Sequence, residues 1–157
     1  MGNQEKVKIN VLYVDDELGN LRAFKALFRR DFNVFIAESA DEGYEIVKKN
    51  KIEIILTDQR MPEKTGVEFL QSVIESHPET IRILVTGYSD ITAIIDAVNK
   101  GQIYRYISKP WNNEALRMLL NQAYEVYHLR KENKALTKSL VQANKQLEFM
   151  LRQKLLS

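Results

Sequence analysis

The sequence of 157 residues contains no cysteine, three prolines and only two histidines, His77 and His128. Without cysteine the chain has no disulfide framework, zinc knuckle or thiol nucleophile, and two histidines are too few for most metal-enzyme sites. Long apolar runs are also missing near the start, since Ile9–Val14 is far shorter than a signal-peptide core or a membrane span. We therefore expect a cytoplasmic protein without a membrane segment. Hydrophobic residues make up 45% of the chain, which is enough for a core.

Charge divides the chain into two unequal parts. Residues 128–157 hold seven of the 23 basic residues and two of the 21 acidic ones, a net charge of +5, whereas residues 1–127 carry a net charge of −3. Glycine and proline do not occur in the sequence after Pro110. A basic segment without helix breakers is typical of a long helix. We predict a compact domain over residues 1–125 and a helical coiled-coil extension over residues 126–157.

Short runs rich in β-branched residues alternate with segments of helical periodicity. Each run is bounded by polar or turn residues, as buried strands are. The predicted strands are Lys8–Val14, Val34–Ala37, Ile52–Thr57, Ile81–Thr86 and Tyr104–Ser108. Between them, apolar residues such as Leu21, Phe24 and Phe28 recur at helical spacing, and the fifth helix runs from about Asn113 toward Ser157. The pattern predicts five βα units.

Strands that alternate with helices favour a parallel sheet, because parallel strands need crossover connections and those crossovers pack as helices on both faces. We predict an α/β fold with a flavodoxin-like, doubly wound, five-stranded parallel sheet of strand order 2-1-3-4-5. Five helices accompany the sheet, and the last extends into a long coiled-coil helix. Ligands of such folds bind at the carboxyl ends of the strands, which makes the residues there the candidates for function.

Charged side chains follow several of the predicted strands. Asp15 and Asp16 follow the first strand, Asp58 the third and Lys109 the fifth, while Thr86 ends the fourth. With the first and third strands adjacent, the carboxylates converge, and a cation must offset their repulsion. Mg²⁺ suits carboxylate oxygens and leaves room for phosphate oxygens. The set predicts a phosphoryl-acceptor site in which the metal and the lysine neutralise oxygens while a carboxylate attacks phosphorus.

Four short motifs stand at these strand ends, in one order across residues 8 to about 125. They are Val14-Asp15-Asp16-Glu17, Asp58-x-x-Met61-Pro62-x-x-x-Gly66, Thr86-Gly87 and Tyr106-x-x-Lys109-Pro110. Together they resemble the receiver domain of bacterial two-component response regulators. The wider strings around them resemble a subgroup whose receivers are joined to hydrolase, phosphatase or transcriptional output modules. The resemblance implies a phosphoprotein of phosphorelay signal transduction.

The resemblance also implies a role for each matching residue of the acidic site. Asp58 is expected to be the phosphoacceptor. Asp15, Asp16 and Asp58 are expected to hold Mg²⁺, with the backbone carbonyl of Arg60 as a further ligand. Lys109 is expected to pair with one oxygen of the phosphoryl group.

A second set of residues is implied to transmit the modification. Thr86 is expected to hydrogen-bond another phosphoryl oxygen, and Tyr106 is expected to turn inward when Thr86 moves. The Lys109–Pro110 peptide bond is expected to be cis. Arg60 and Tyr88, which stand two residues beyond Asp58 and Thr86, are expected to overhang the phosphoryl group and slow its hydrolysis.

The helical tail carries an apolar heptad pattern. The a positions are Val126, Asn133, Leu140 and Leu147, and the d positions are Leu129, Leu136, Ala143 and Met150. This register predicts a parallel homodimer, and a polar residue at one a position favours two aligned strands. The alternative is a single amphipathic helix that folds back on its own domain. The basic surplus has neither the Arg-rich clusters nor the aromatic residues of a nucleic-acid surface, so we expect no nucleic-acid partner.

The implied function is a switch and not an enzyme, apart from self-phosphorylation by small donors and self-dephosphorylation. A histidine kinase or phosphotransferase would donate the phosphoryl group, and the fourth helix, fifth strand and fifth helix would repack to control a downstream partner. Two alternatives remain open. One is a constitutive coiled-coil dimer scaffold with a silent receiver. The other is a metal-dependent phosphohydrolase of the haloacid type, although that class uses a D-x-D motif and the run here is Asp15-Asp16-Glu17.

Overall fold

The computed structural model describes residues 8–87, 91–100 and 102–156, and along them five strands alternate with five helices. The strands are β1 (Asn10–Val14), β2 (Asn33–Ala37), β3 (Ile54–Asp58), β4 (Ile81–Thr86) and β5 (Arg105–Ser108). The helices are α1 (Leu18–Phe28), α2 (Ala40–Lys49), α3 (Gly66–Ser76), α4 (Ile91–Asn99) and α5 (Asn113–Leu156). The predicted alternation of strands and helices is confirmed.

The strands form one parallel sheet in the order β2-β1-β3-β4-β5. Val14, the last residue of β1, pairs with Ala37 on one side and with Thr57 on the other. Asp58 is still within the ladder, opposite Val85 of β4. Because the central strands end in register, the residues that follow β1 and β3 lie side by side. The strand order confirms the predicted flavodoxin-like, doubly wound fold.

Helices cover both faces of the sheet. On one face α1 and α5 bury side chains such as Phe24 and Leu120. On the other face α2, α3 and α4 bury side chains such as Phe69. Successive strand residues point to opposite faces, so Leu12 belongs to the second core while Tyr13 belongs to the first. Burial on both faces explains why the central strands β1, β3 and β4 are largely apolar along their length and do not alternate.

Polar side chains mark the beginnings of helices. The hydroxyl of Ser39 accepts a hydrogen bond from the backbone N–H of Glu42 at 3.1 Å, which caps α2. The carboxamide oxygen of Asn112 accepts from the backbone N–H of Ala115 at 3.0 Å. Such bonds satisfy donors that have no partner within the first turn of a helix. The second one places the start of α5 directly after the loop that follows β5.

The helix α5 is a single element of 44 residues. Its first part packs on the sheet, and its last buried side chain is that of Tyr127. Residues 128–156 are exposed throughout, although Lys134 forms an ion pair with Glu79 at the base of the domain. None of the helices within the described ranges carries the stretch of apolar residues that crossing a bilayer requires. The predicted long final helix is therefore confirmed.

Candidate acidic phosphoacceptor site

Three carboxylates meet at the carboxyl edge of the sheet. Asp15 and Asp16 follow β1, and Asp58 is the last residue of the adjacent strand β3. One carboxylate oxygen of each residue lies within 4.8 Å of those of the other two. Asp15 is fully buried and Asp58 is 9% exposed, whereas Asp16 is exposed. The cluster is therefore held in the protein on one side and is open to solvent on the other.

Lys109 brings a positive charge to this cluster. Its Nζ lies 2.9 Å from Oδ2 of Asp15 and 3.3 Å from Oδ2 of Asp58. The lysine stands in the loop between β5 and α5, where its backbone N–H donates to the carbonyl of Thr86 at 2.9 Å and its bond to Pro110 is cis. The fold thus brings together a lysine and three aspartates from three separate segments of the sequence.

The carboxylate of Asp15 is held by four hydrogen bonds. Its Oδ2 accepts from the Tyr13 hydroxyl at 2.6 Å, from Lys109 Nζ at 2.9 Å and from Asn20 Nδ2 at 3.2 Å. Its Oδ1 accepts from the backbone N–H of Glu17 at 2.9 Å. A buried carboxylate with this many donors is stabilised in its ionised form and has one defined orientation.

The pKa values of the site move in different directions. Burial alone raises the pKa of Asp15, but hydrogen bonds from the Tyr13 hydroxyl and the Glu17 backbone N–H, together with the neighbouring ammonium, outweigh it and lower the pKa. The pKa of Asp58 is raised by burial and by repulsion from Asp15, although Lys109 opposes the shift. Burial lowers the pKa of Lys109, but the two carboxylates outweigh it and raise the pKa. Of the two buried carboxylates, Asp58 is therefore the one whose ionised form the fold disfavours.

The loop from β3 to α3 is anchored by the buried side chain of Gln59. Its Oε1 accepts from the backbone N–H of Val67, and its carbonyl accepts from the N–H of Gly66, each at 3.0 Å. A Cβ at Gly66 would lie 2.3 Å from the carbonyl oxygen of Asp58, so only glycine allows α3 to begin this close to the site. Both ends of the loop are fixed in this way around Arg60, whose side chain is exposed.

The two expected switch residues lie on neighbouring strands. Thr86 ends β4 with its side chain buried, and its hydroxyl donates to the carbonyl of Gly87 at 2.9 Å. Tyr106 of β5 is 53% exposed, so its ring lies at the surface in this conformation. The prediction for Tyr88 falls outside the described residues.

The donor set fits a divalent cation that prefers oxygen. Mg²⁺ is bound in proteins by one or two carboxylates together with waters and phosphate oxygens. Asp15, Asp16 and Asp58 offer carboxylate oxygens at mutual distances that one ion can bridge, and the exposed side leaves space for water. Bound there, the ion would neutralise negative charge at a phosphoryl group next to Asp58, and Lys109 would do so from the other side.

The sequence reasoning missed three residues that support the site, namely Tyr13, Asn20 and Gln59. Tyr13 precedes Asp15 by two positions, and alternate strand residues lie on the same face, so its polar tip within an apolar strand was a usable signal. Asn20 lies near the start of α1, within reach of the carboxylate that precedes that helix. Gln59 gave no signal, because its role depends on the path of the following loop.

The protein is thus a doubly wound α/β domain with three clustered aspartates and a lysine at the carboxyl edge of its sheet. The chain matches the family described as response regulator receiver domain over residues 11–121. It therefore belongs to the response regulator receiver family of two-component signalling. Members of this family act as phosphoacceptor switches, are phosphorylated by histidine kinases and bind Mg²⁺ in their acidic pocket.

Relatives are transcriptional regulators of greater length. The chain is 42% identical over 120 residues to the hydrogenase transcriptional regulatory protein HoxA of Cupriavidus necator, which covers 76% of this chain and 25% of that protein. It is 37% identical over 122 residues to HoxA of Bradyrhizobium diazoefficiens, with 78% and 25% covered. The chain thus spans about a quarter of these curated relatives. The similarity is to the receiver domains of these proteins.

Solved structures show the same fold. A response regulator receiver domain protein from Clostridium thermocellum is 30% identical with a TM-score of 0.73, and the match covers 77% of this chain and 98% of that one. A structure described as adenylate cyclase from Rhodopirellula baltica is 30% identical with a TM-score of 0.81, and the match covers 84% and 98%.

Proposed function

We propose that Asp58 accepts a phosphoryl group from a histidine kinase or phosphotransferase in a reaction that requires Mg²⁺. Asp15, Asp16, Asp58 and the backbone carbonyl of Arg60 would hold the ion, which would neutralise charge on the phosphoryl oxygens. One observation carries this proposal: carboxylate oxygens of the three aspartates lie within 4.8 Å of one another, and a lysine ammonium lies 3.3 Å from Asp58.

The chain's own residues divide the chemistry between them. An oxygen of Asp58 forms a bond to phosphorus while the bond from phosphorus to the donor nitrogen breaks, and that nitrogen keeps the electron pair. Lys109, already 3.3 Å from this carboxylate, then pairs with a phosphoryl oxygen. Asp15 keeps its charge because its pKa is lowered, and it therefore remains a ligand at neutral pH. The exposed side next to Asp16 admits the donor.

The modification would be transmitted through β4 and β5. The Thr86 hydroxyl would leave the Gly87 carbonyl, to which it now donates, for a phosphoryl oxygen. Tyr106, now 53% exposed, would then turn toward the space beside Thr86. The face formed by α4, β5 and α5 is suited to a partner, because Ile91 and Ile95 of α4 are also exposed on it. Its repacking would control the downstream partner.

The exposed part of α5 would form a parallel dimer. Leu129, Leu136, Leu140 and Leu147 occupy a and d positions and are 62%, 63%, 62% and 57% exposed. In the same register all four f positions, which point away from the partner helix, are basic: Lys131, Lys138, Lys145 and Arg152. An apolar seam opposite a charged column is typical of a coiled coil. The proposed division remains a receiver domain over 1–125 and a coiled-coil extension over 126–157.

Intact-protein mass spectrometry tests the acceptor. The full chain is treated with acetyl phosphate in the presence of Mg²⁺ or of EDTA. We expect one added phosphoryl group with Mg²⁺, none with EDTA, and none in Asp58→Asn. Asp41→Asn, which changes an exposed aspartate of α2, serves as the matched control and should be modified like the unchanged chain.

Two results would contradict the proposal. Absence of any added phosphoryl group in the unchanged chain would favour a dimer scaffold with a silent receiver. Turnover of a phosphomonoester that survives Asp58→Asn would favour a phosphohydrolase.

Sedimentation equilibrium tests the extension. Leu140 and Val141 are adjacent exposed apolar residues, and only Leu140 lies in the proposed seam. We expect Leu140→Glu to weaken the dimer and Val141→Glu to leave it unchanged. Equal effects of the two substitutions would refute the register. Comparison with and without beryllofluoride then shows whether the phosphorylated state changes the dimer affinity.

A further inference from the structure

Tyr13 is a fully buried tyrosine whose hydroxyl lies at the acidic site. It stands on β1, and its side chain is 0% exposed. The hydroxyl donates to Oδ2 of Asp15 at 2.6 Å, which is the length of a strong hydrogen bond from a neutral donor to a charged oxygen. Tyr13 therefore packs in the hydrophobic core with its ring and binds the Asp15 carboxylate with its hydroxyl.

The ring of Tyr13 is held by aromatic neighbours from α1 and from the loop that precedes α5. Its centroid lies 4.9 Å from that of Phe24 in α1 and 5.9 Å from that of Trp111, which it meets edge to face. Trp111 lies between Pro110 and the start of α5. Aromatic contacts on two sides leave the ring little freedom, so the hydroxyl has a fixed place.

The fixed hydroxyl determines how the Asp15 carboxylate can lie. Of the three donors to its Oδ2, Lys109 and Asn20 are polar side chains at the edge of the site, whereas Tyr13 donates from within the core. A carboxylate near a metal is oriented by the hydrogen bonds it accepts, and loss of such a partner typically weakens metal binding by about 10–100-fold.

We propose that Tyr13 is a positioning residue for Mg²⁺ binding, acting through Asp15. The inference rests on the proposed function, because it concerns the ion that the phosphoryl transfer requires. The hydroxyl holds the Asp15 carboxylate in the orientation that converges with Asp16 and Asp58. The same residue contacts Trp111, which lies just before α5, so the metal site and the first turn of α5 share one support.

The test compares Mg²⁺ affinities by isothermal titration calorimetry on the full chain. Tyr13→Phe removes the hydroxyl and keeps the ring. The matched control is Tyr127→Phe, which removes the hydroxyl of another buried tyrosine in the same core, in α5. We expect the Kd for Mg²⁺ to rise about tenfold in Tyr13→Phe and to remain within twofold of the unchanged chain in Tyr127→Phe. Far-ultraviolet circular dichroism in EDTA verifies that each variant is folded.

The outcomes separate this inference from the proposed function. A Tyr13→Phe protein that binds Mg²⁺ like the unchanged chain overturns the positioning role and leaves the proposed function standing. Equal weakening in both tyrosine variants also overturns it, because a loss shared with a distant hydroxyl reflects packing. Absence of Mg²⁺ binding by the unchanged chain overturns the proposed function and this inference with it. If Tyr13→Phe does not fold, Asn20→Ala replaces it in the same titration. Because Asn20 is the weaker donor to Asp15, its loss should raise the Kd for Mg²⁺ by a smaller factor. No rise would refute the orienting role of the hydrogen bonds to Asp15.

Discussion

Replacing Asp58 with asparagine tests the electrostatic balance of the metal-free site. Asparagine has nearly the same shape as aspartate, so the packing at the end of β3 is retained while one negative charge is removed. The pKa of Asp58 is raised, first by burial, which means that the folded protein disfavours its ionised form. We therefore expect Asp58→Asn to be more stable than the unchanged chain at pH 7 in EDTA.

The distances give the size of the effect. At an effective dielectric constant of about 20, a carboxylate within 4.8 Å repels Asp58 by at least about 3 kcal/mol, and the ammonium at 3.3 Å attracts it by about 5 kcal/mol. Lys109 thus offsets the repulsion from Asp15 and Asp16, and burial decides the direction in which the pKa of Asp58 moves. We expect the free energy of unfolding to rise by about 1 kcal/mol in the variant.

Urea unfolding followed by far-ultraviolet circular dichroism measures this difference. Because the pKa of Asp58 is higher in the folded chain than in the unfolded one, the unchanged chain loses stability as the pH rises through the folded pKa. The advantage of the variant should therefore vanish below about pH 4, where the unfolded chain also binds the proton. Saturating Mg²⁺ should reverse the order, because the unchanged chain binds the ion more tightly. A variant less stable in EDTA at pH 7 would refute the electrostatic reasoning.

Three further changes test other parts of the structure. Gly66→Ala should lower the free energy of unfolding by more than about 2 kcal/mol and impair phosphorylation, because its Cβ would clash with the Asp58 carbonyl. The control is Gly19→Ala, whose Cβ would have nothing within 4 Å and which should be neutral or stabilising in the same urea titration. Lys109→Met should slow phosphorylation by acetyl phosphate in the mass-spectrometric assay, because it removes the cation 3.3 Å from the acceptor; an unchanged rate would exclude that role. Ser39→Ala should cost about 1 kcal/mol through loss of the α2 cap and leave phosphorylation unchanged, and a loss of phosphorylation would show that α2 affects the site.

The limits of the β-strands were less predictable than their number and order. The third strand was expected over Ile52–Thr57 and lies at Ile54–Asp58. The carbonyl of Ile52 accepts from the hydroxyl of Thr80, a side chain of the next connection, so it is taken out of the ladder. At the other end Asp58 pairs with Val85, although aspartate is a poor strand former. Both differences depend on neighbours distant in sequence.

The composition of the acidic site followed from the sequence because parallel strands bring their carboxyl ends to one edge. This rule placed Asp15 near Asp58 without knowledge of any distance. The rule did not predict that Tyr13 and Gln59 hold the acidic site in place. Tyr13 does so through the packing of its ring, and Gln59 through hydrogen bonds within the loop from β3 to α3. The charge on Lys109 was expected near the acids, but the unequal pKa shifts of the two buried carboxylates required their individual hydrogen bonds.

The helix α5 has no break between its buried part and its exposed part, and this continuity makes it a lever. Tyr127 is the last buried residue of α5, so the exposed part of the helix would pivot about this residue. At about 1.5 Å per residue, the arm beyond it is about 43 Å long. A tilt of about 5° at the fulcrum, which side-chain repacking of ordinary size can produce, would carry the tip through about 4 Å. A small rotation of α5 near the acidic site would thus move the end of this helix by about the length of a side chain.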